Sequence, residues 1–507
     1  MVNYIINGLQ NGFNIGFNGV NKCTRPKNLI SATKNKSKLN EAITKELIRG
    51  HSSGPFDTPP FYNLHCSPIG GVIKKDSSCR LIMDLSQPYG ASINENISKE
   101  EFSVKYTHFD QATDLVRLAG RSCLMCKVDI KHAFRLMPVR MEDWKLLGYF
   151  WEGHYFIDTV LPFGLRSSPG IFNRFADLVC WVLCNKFNIN SLVHYSDDYF
   201  LVCGDNLSFA IAELNKLLKA FKDLNVPLAQ EKIIGPVNVI TYLGIEINSN
   251  NLTISIPQEK YLELMHILPN WVTRTTVKKQ QLLSLIGKLS FICKVVRPGR
   301  IFLRRLIDLS TSVNKLHHHI TMNKSVREDL KWWMEFLQSW NQTSIIPESF
   351  HITSADIKLY TDASGMGYGA IYNNEWIQGR WVGNSSKYSI DFKELFAIVA
   401  SVLTWGKHWV GKKIIFFTDN LPITQIWDTG TSHSKEVMVL VRKLYLFAAQ
   451  IGFSVSLKHI LGIYNPIADS ISRFQVKKFK ELAPQAEERP TQVPQSAIEL
   501  LLNLTIQ

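Results

Sequence analysis

The chain has 507 residues, of which 45% are hydrophobic and 20% are charged, so it is a globular chain with room for about three domains. Its 57 Lys and Arg against 43 Asp and Glu give a net charge of +14, which indicates a polyanionic partner. Nine irregularly spaced cysteines are too sparse for a disulfide framework, which excludes that class of secreted protein and favours a reducing compartment.

Two further classes are excluded by the apolar pattern of the chain. The first residues, MVNYIINGLQNGFNIGF, lack the basic start and the continuous apolar core of a secretory signal. No apolar run approaches the ~20 residues that are needed to span a bilayer, so we expect a soluble, intracellular protein that does not contact membranes. Cys123 and Cys126 have metal-finger spacing without a matching second pair. These two and Cys180 and Cys184 are therefore predicted to be small buried hydrophobic residues.

The order of apolar runs and helical patterns predicts five segments. A loosely structured basic arm, closing with a short helix, precedes a mixed α/β region, a mostly helical region, a second α/β region and a Pro-containing tail with a possible docking helix. The predicted boundaries are 1–50 for the arm, 51–256 for the first α/β region, 257–350 for the helical region, 355–474 for the second α/β region and 475–507 for the tail.

The segment LVHYSDDYFLVC predicts a tight β-hairpin with Asp197 and Asp198 at its turn. Taken alone, an ordinary Ser-Asp turn is the better interpretation. A third acid, Asp129 in LMCKVDIKHAF, has a similar apolar setting about seventy residues upstream. Three carboxylates on apolar strands stay ionised together only beside cations, and hard oxygen ligands suit Mg²⁺. Two such ions that clamp the attacking and leaving oxygens are the recurring solution for nucleotidyl transfer.

Further blocks around these acids appear in chain order. GVIKKDSSCRLIMDLS places Lys74, Lys75 and Arg80 on a predicted hairpin, where cations could hold a triphosphate. LPFGLRSSPGIF, residues 161–172, predicts a loop with small residues that leads into a helix and lets a base pair or sugar approach the backbone. FKDLNVPLAQEKIIGP and ITYLGIEI follow. In this order, the blocks resemble the motifs of reverse transcriptases, and the Y-x-D-D form is similar to retroviral and retroelement enzymes.

The resemblance implies an α/β (α+β) fold with the fingers, palm and thumb of a right-hand polymerase. It implies that Asp129, Asp197 and Asp198 hold two Mg²⁺ ions, with Mn²⁺ as an alternative. The nucleotide contacts that it implies are Lys74 or its neighbour Lys75, Arg80, the sugar-pocket residue Phe134, Phe163, Gly164 and Tyr195. Phe163 stands where retroviral enzymes carry Gln, which leaves a hydrogen bond from this position in doubt.

A second set of acids lies in the C-terminal region. Asp362 in LYTDASGMGYGA and Asp419 in FFTDN each end an apolar strand, while Glu394 and Asp469 lie on predicted helices. Each acid alone has an ordinary structural interpretation in a turn or cap. Together they resemble the four-carboxylate, two-metal centre of ribonuclease H, and the order of strands and helices fits that fold. His459 in KHILGIYN matches the mobile histidine of that family.

The helical region is unusually basic. Residues 264–307 hold nine Lys and Arg and no Asp or Glu, whereas a solvated helix face normally mixes both signs. We therefore predict contacts with the sugar-phosphate backbone from a thumb with these cations: Lys278, Lys279, Lys288, Lys294, Arg297, Arg300, Arg304 and Arg305.

Three short motifs have other interpretations. DTGTS, residues 428–432, resembles an aspartic protease signature, but it lies between acids of the second α/β region and leaves no room for a protease fold. His317, His318 and His319 are consecutive and point in different directions, so a polar loop is expected rather than a metal site. His132-x-x-Arg135 overlaps the first acidic motif and has no recombinase domain behind it.

The resemblance is closest to the reverse transcriptase–ribonuclease H of DIRS-like retrotransposons, through GPFDTPPFYNLHCSPIGGVIKK, SVKYTHFDQA, HYSDDY and ADSISRFQVKKFKELAPQ. The partners that it implies are an RNA template, an RNA/DNA hybrid, a DNA primer and deoxynucleoside triphosphates, with a separately encoded recombinase for integration. Two functional classes stay open: an active enzyme, or a decayed or domesticated copy that only binds nucleic acid. An RNA-dependent RNA polymerase is disfavoured by Phe134 and by the second acidic set.

Overall fold

The computed structural model describes residues 1–74, 77–106, 108–340, 342–346, 352–353, 359–410, 412–429, 432 and 434–503. Lys75 of the predicted hairpin and Gly430 and Thr431 of DTGTS lie outside these residues. The chain divides into two compact units. Unit 1 comprises Met1–Ala119 and Cys123–Ile240, and unit 2 comprises Gly120–Ser122 and Thr241–Gln507.

Unit 1 mixes helices with short strands. Its helices are α1 (Val2–Asn11), α2 (Ile30–Lys34), α3 (Lys36–Ile48), α4 (Phe109–Ala119), α5 (Met141–Trp144), α6 (Ser168–Lys186) and α7 (Leu207–Asp223). Its strands are β1 (Ser52–Phe56), β2 (Ile69–Ile73), β3 (Cys79–Met83), β4 (Leu124–Asp129), β5 (Gly148–Trp151), β6 (His154–Asp158), β7 (Leu192–Tyr195), β8 (Asp198–Cys203) and β9 (Ile234–Val237). They pair in the orders β1-β6-β5, β2-β3 and β7-β8-β4-β9.

The sheet β7-β8-β4-β9 carries the first acids. The antiparallel hairpin β7–β8 pairs Tyr195 with Asp198, which leaves Ser196 and Asp197 as a two-residue turn. Strand β4 also pairs antiparallel with β8, so that Asp129 is the direct cross-strand partner of Asp198. The predicted hairpin and the strand setting of Asp129 are therefore confirmed.

The N-terminal segment was predicted to be loosely structured, and this prediction is wrong. Three helices cover most of it, and Ile5, Phe13 and Ile15 are each at most 1% exposed. These side chains belong to the same apolar core as Ile171 and Tyr199. Charge and Asn content dominated the sequence pattern, whereas the apolar residues between the polar ones provide the burial that orders the segment. The predicted closing helix is present as α3.

Unit 2 begins with a small sheet and a set of helices. The elements are β10 (Val239–Tyr242), which crosses the boundary between the units, β11 (Ile245–Asn248), β12 (Thr253–Ser255), α8 (Gln258–Thr273), β13 (Thr276–Lys278), α9 (Lys279–Ile292), α10 (Ile301–Ser310), β14 (His319–Thr321), α11 (Lys324–Ser339) and β15 (Thr343–Ile345). Strands pair in the orders β10-β11-β12-β15 and β13-β14. Helix α11 packs on α8 and α10, which buries Leu330 and Trp333.

The second part of unit 2 alternates strands and helices. The elements are β16 (Ile352–Thr353), β17 (Leu359–Ala363), β18 (Gly367–Tyr372), β19 (Glu375–Arg380), α12 (Ile390–Trp405), β20 (Lys413–Thr418), α13 (Leu421–Thr429), α14 (Lys435–Ile451), β21 (Ser454–His459), α15 (Pro466–Ser472), α16 (Val476–Leu482) and α17 (Gln495–Asn503). Strands β17, β18 and β19 are antiparallel, and β16, β20 and β21 are parallel in the order β16-β20-β21.

Helix α12 is buried on nearly all sides. Its residues from Phe392 to Val402 are buried, and Ser389 caps its first turn through a hydrogen bond from the Phe392 amide. The helix packs against β17, β18 and α14. An all-round apolar helix of this kind fixes the position of any polar side chain that it carries, because such a side chain cannot turn to solvent.

The tail was predicted to be a linker with a docking helix, and the structure shows more packing than that. Phe479, Ala483 and Ala486 join a buried cluster with Trp376 and Ile371. The Trp376 indole nitrogen donates to the Glu487 carbonyl at 2.8 Å. The predicted docking helix is present as α17, which packs on α12. The prolines interrupt helix formation here, but the apolar side chains between them are buried.

No helix in the described part of the chain is long and apolar enough to cross a bilayer. The cysteines form no disulfides among these residues, and Cys123 and Cys126 are buried as predicted. Cys180 and Cys184 are only half-buried on α6.

Candidate active sites

The first candidate site lies at the turn of the β7–β8 hairpin. Asp129 is 6% exposed, while Asp197 and Asp198 are half-buried. The Asp198 carboxyl is hydrogen-bonded to that of Asp129, as their cross-strand pairing dictates. Ser196 adopts φ of +56°, a left-handed conformation that L residues rarely adopt and that closes this two-residue turn. The three carboxylates are thus concentrated at one end of the sheet.

Two of these carboxyl groups, those of Asp197 and Asp198, have raised pKa values. Burial, and then the charge of Asp129, raises the pKa of Asp197. Burial raises the pKa of Asp198 to about 6, against the opposing effect of Lys127 and with the help of Asp129 and Asp197. The Lys232 ammonium lies 2.8 Å from Asp129 Oδ1 and supplies one positive charge. Lys232 and Lys127 together do not neutralise three carboxylates, so the site favours additional cations.

An aromatic pocket forms around Phe134, which follows Asp129 by five positions in the chain. The Phe134 ring lies 5.6 Å from the rings of both Phe163 and Phe172, and the Arg80 guanidinium lies 4.7 Å above Phe163. Phe134 is half-buried on a 3₁₀ turn, Ala133–Leu136. Four residues predicted to contact a nucleotide, Arg80, Phe134, Phe163 and Gly164, are therefore brought together.

Gly164 shows why this loop requires glycine. Its φ is +111°, and a Cβ atom built on it would lie 2.0 Å from the Met83 carbonyl oxygen. The neighbouring Phe163 carbonyl accepts a hydrogen bond from the Met83 amide at 3.2 Å. The loop is therefore held against the end of β3 at a distance that only glycine permits.

Two other predicted contacts have clear positions. Lys74 is exposed at the end of β2, where its backbone amide donates to Ser78 and closes the β2–β3 hairpin. Tyr195 stacks on Tyr106, with ring centroids 4.7 Å apart. Burial, and then the charges of Tyr195 and Asp197, raises the pKa of Tyr106, which places that ring beside the acidic turn. Nothing in the sequence pattern pointed to Tyr106.

The second candidate site lies where β17, β20 and α12 meet. Asp362, Glu394 and Asp419 each offer a carboxylate oxygen, and these atoms all lie within 4.8 Å of one another. Asp362 and Glu394 are each 5% exposed, while Asp419 follows β20 and is exposed. The Ala363 amide donates to Glu394 Oε1 at 3.2 Å, which ties the helix to the strand. Three of the four acids predicted for this site are thus confirmed neighbours.

Asp469 lies outside this group of three. Its carboxylate accepts a hydrogen bond from Arg473 at 2.5 Å, one helical turn further along α15. The helix itself is anchored beside β17, because Asn465 donates to the Thr361 carbonyl at 2.8 Å and Ser472 donates to Asp362 Oδ2 at 2.5 Å. Asp469 and Arg473 are four residues apart, which is the spacing of an ion pair on a helix, so the sequence could have predicted this pair.

His459 lies at the exposed edge of the second site. It ends β21, and its Nε2 lies 3.1 Å from the carbonyl oxygen of Asp419. Its side chain is exposed, and the mobility that was predicted for it stays a prediction.

Electrostatics in the second site resemble those in the first. Burial, and then the nearby Asp469 and Asp419, raises the pKa of Asp362 to about 7 despite the hydrogen bond from Ser472. Burial, and then Asp362 and Asp419, raises the pKa of Glu394 well above its usual value. Hard oxygen donors at this mutual distance fit a divalent cation such as Mg²⁺, which would neutralise the repulsion between them.

The predicted thumb cations fall into two sets. Lys279 donates to the Val313 carbonyl at 2.6 Å, Lys288 pairs with Glu263, Arg304 pairs with Asp308 at 3.0 Å, and Arg305 pairs with the buried Asp329 at 3.3 Å. The Lys288 pair joins α9 to α8 and the Arg305 pair joins α10 to α11, while Lys279 binds the loop after α10 and the Arg304 pair lies within α10. Lys278, Lys294 and Arg300 are exposed, and the side chain of Arg297 lies outside what is described. His317, His318 and His319 are exposed at the start of β14.

Comparisons with known proteins agree with this geometry. Residues 72–247 match the family model for reverse transcriptase (RNA-dependent DNA polymerase). This segment includes the hairpin that carries Asp197 and Asp198, its cross-strand partner Asp129, and the aromatic pocket. The chain carries a reverse transcriptase domain.

The curated proteins that are similar to this chain include transposon polyproteins. The Tf2-3 and Tf2-7 polyproteins of Schizosaccharomyces pombe (strain 972 / ATCC 24843) are each 22% identical over 450 residues, which is 85% of this chain and 30% of each relative. The chain thus spans about 30% of the length of these curated relatives.

Solved structures with a similar fold include two foamy viral complexes. The protease-reverse transcriptase dRH with double-stranded DNA has a TM-score of 0.54 at 17% identity, and covers 88% of this chain and 73% of that one. The protease-reverse transcriptase with an RNA/DNA hybrid has a TM-score of 0.50 at 15% identity, and covers 87% and 56%. This likeness concerns the fold. It confirms the prediction of a mixed polymerase fold with a ribonuclease H-like part.

Because the acids of the second site are clustered, we predict that neutralising one of them stabilises the metal-free protein. Because the pKa of Asp362 is about 7 in the folded protein and about 4 when unfolded, the native state gains a proton between these values. Stability of the metal-free protein should therefore rise as the pH falls from 8 towards 5. Asp362→Asn should raise the free energy of unfolding at pH 8 by about 1–3 kcal/mol, and it should weaken the stabilisation by Mg²⁺.

Urea titrations with and without Mg²⁺ measure both effects. Asp428→Asn, at an exposed aspartate in the same unit, serves as the control and should change stability by less than about 0.5 kcal/mol. A metal-free Asp362→Asn protein that unfolds at lower urea than the wild type at pH 8 would contradict this account of the cluster.

Proposed function

We propose that the chain copies RNA and DNA templates into DNA and cleaves the RNA strand of RNA/DNA hybrids, in the service of retrotransposon replication. The observation that carries this proposal is the cross-strand pair Asp129–Asp198 with Asp197 beside it, inside a reverse transcriptase domain. The group Asp362, Glu394 and Asp419 supports the second activity.

In the first site, Asp129, Asp197 and Asp198 would hold two Mg²⁺ ions, or Mn²⁺ in their place. Bound there, the ions supply charge neutralisation at the attacking and leaving oxygens of an in-line displacement. Lys74 and Arg80 hold the triphosphate, since both are cations on the β2–β3 hairpin. Phe134 lies under the sugar, and Gly164 lets the nucleotide approach the backbone.

In the second site, Asp362, Glu394, Asp419 and Asp469 would hold a second pair of ions. Asp469 would join the other three acids as a ligand if its carboxylate exchanged Arg473 for a cation. His459 assists proton transfer or product release from the exposed edge. Water reaches the site there, while Glu394 holds its carboxylate in place from inside the protein.

The substrates follow from these two activities. An RNA template, a DNA primer, deoxynucleoside triphosphates and the resulting RNA/DNA hybrid are the proposed partners, and a recombinase, supplied by a partner protein or by a longer reading frame, completes integration. Lys278, Lys294 and Arg300 contact the sugar-phosphate backbone, since they are exposed. The proposed domains are a packed N-terminal arm, 1–50; fingers and palm, 51–256; thumb and connection, 257–350; a ribonuclease H-like domain, 355–474; and a tail, 475–507.

A decayed copy that binds nucleic acid without catalysis is the second candidate function. The net charge of +14 alone would support it. All seven acids are present, however, and at least three of them share one cluster, in which two buried carboxylates are costly to keep without metal. The DIRS-like branch is a finer proposal, supported by the segments SVKYTHFDQA and HYSDDY.

The first test removes one acid of the hairpin. Asp197→Asn should reduce DNA synthesis on a primed RNA template on the order of a thousandfold, because it removes an anchor for the ions that neutralise the reacting oxygens. Hybrid cleavage should stay near the wild-type rate, since the second acids lie on other elements. Primer extension and hybrid cleavage are measured on the same preparations, with Asp205→Asn as an exposed control. Near-normal extension by Asp197→Asn would refute the assignment.

The second test removes one acid of the second site. Asp419→Asn should stop cleavage of the RNA strand in a hybrid and leave primer extension intact. His459→Ala should slow cleavage by roughly 10²-fold or less without abolishing it, as expected for a group that assists proton transfer. Labelled hybrid cleavage resolves both effects, and Asp428→Asn is the exposed control in the same unit. The second site is wrong if Asp419→Asn cleaves at the normal rate.

The third test concerns the choice of sugar. Phe134→Val should raise ribonucleotide incorporation about ten- to a hundredfold with deoxynucleotide use largely kept, because overpacking against a 2′-hydroxyl costs about 1–3 kcal/mol. Single-nucleotide extension gives both efficiencies. Phe175→Leu, at a core ring on α6, serves as the control for lost stability. An equal loss of both substrates in Phe134→Val would make Phe134 an ordinary core aromatic.

A further inference from the structure

Arg135 is a buried cation directly beside the proposed sugar-pocket residue. It is 6% exposed and lies on the 3₁₀ turn that carries Phe134. Its two terminal nitrogens donate to both carboxylate oxygens of Asp158, at 2.6 and 3.2 Å, and its Nε donates to Glu46 at 2.9 Å. A guanidinium held on both sides in this way has a fixed position and a fixed orientation.

The partners of Arg135 are themselves held in place. The Ser52 hydroxyl donates to Asp158, and His51 Nδ1 lies 2.9 Å from Glu46 Oε2. Glu46 lies on α3, Ser52 begins β1 and Asp158 ends β6, so three elements meet at one side chain. We call Arg135, Glu46, His51, Ser52 and Asp158 the Arg135 network. Three of its members precede residue 72, where the matched reverse transcriptase segment begins.

The turn before Arg135 needs such an anchor. His132 has φ of +70° and Ala133 has φ of +36°, and both are left-handed conformations that L residues rarely adopt. Two strained residues in succession persist only where the surrounding structure holds them. The amide of Arg135 closes the turn by donating to the His132 carbonyl at 2.8 Å, and its side chain fixes the turn to the network.

Phe134 and Arg135 are adjacent on this turn but have different surroundings. Phe134 contacts Phe163 and Phe172, whereas Arg135 contacts only polar partners among the contacts described above. A rotation or shift of the turn would therefore move the Phe134 ring within the aromatic pocket. Buried ion pairs contribute little net stability when compared with apolar replacements, so the network is better suited to fixing geometry than to stabilising the fold.

We propose that Arg135 is a positioning residue, which holds the strained turn so that the Phe134 ring excludes a 2′-hydroxyl and the enzyme selects deoxynucleotides. This inference rests on the proposed polymerase function and goes beyond it, because it assigns sugar selection in part to elements that precede the matched reverse transcriptase segment. Lysine at position 135 keeps the charge, but it cannot form the fork to Asp158 and the bond to Glu46 at the same time.

The test compares the efficiencies of ribonucleotide and deoxynucleotide incorporation. Arg135→Lys should raise the ribonucleotide-to-deoxynucleotide ratio on the order of tenfold, since small displacements of a positioned group have large kinetic effects. Deoxynucleotide incorporation should fall much less. Arg140→Lys is the matched control: it loosens a similar fork to Asp143 at 2.8 and 3.1 Å that lies outside the network, and its ratio should not change.

A double variant tests whether Arg135 acts through Phe134. If it does, Arg135→Lys combined with Phe134→Val should show no higher ratio than Phe134→Val alone. Ratios that multiply would show independent effects and overturn the proposal. Glu46→Gln removes one charge of the network and keeps Asp158 in place, so it provides a milder variant with the same expected direction if Arg135→Lys does not fold.

A readout without catalysis separates this inference from the proposed function. Hydrogen exchange of amides in residues 132–137 should be faster in Arg135→Lys than in the wild type or Arg140→Lys. A wild type that extends no primer would refute the proposed function, whatever the exchange data show. A fully active Arg135→Lys with the wild-type ratio, or unchanged exchange in the turn, would refute only the role of Arg135.

Discussion

Repulsion between carboxylates that are close together and partly dry is the constraint on which this molecule depends. Burial raises the pKa of Asp198 to about 6 and that of Asp362 to about 7, so the metal-free protein holds these groups against their preference for water. Sheet register and a fully buried helix keep them there. Concentrated acids of this kind favour bound cations, and the binding of cations at both clusters is the common basis of the two proposed activities.

The two sites differ in how basic side chains of the protein neutralise part of their negative charge. Lys232 neutralises part of the first site through Asp129, while Arg473 pairs with Asp469 at the margin of the second. In each case a basic side chain partners an acid that would otherwise add to the repulsion. The N-terminal helices contribute in another way, because Glu46 on α3 holds Arg135 beside the aromatic pocket.

The sequence predicted the local setting of most acids, since Asp129, Asp197, Asp362 and Asp419 end or interrupt apolar strands whose pattern is unambiguous. It did not predict that the N-terminal segment is packed, because the burial of Phe13 depends on core residues that are distant in the sequence. The pairing of Asp469 with Arg473 and the stack of Tyr106 on Tyr195 were also missed. The roles of the thumb cations could not be predicted either, since net charge does not distinguish an exposed lysine from one that donates to a backbone carbonyl, as Lys279 does.

Anomalous diffraction from Mn²⁺ in crystals of the chain with an RNA/DNA hybrid tests the central claim most directly. The account predicts peaks at both clusters, about 2.1 Å from the oxygens of Asp129, Asp197 and Asp198 and from those of Asp362, Glu394 and Asp419. The measurement needs no turnover, so it also distinguishes an intact metal centre from a decayed one. The account would be contradicted by a crystal in which the hybrid is ordered but both clusters lack anomalous density.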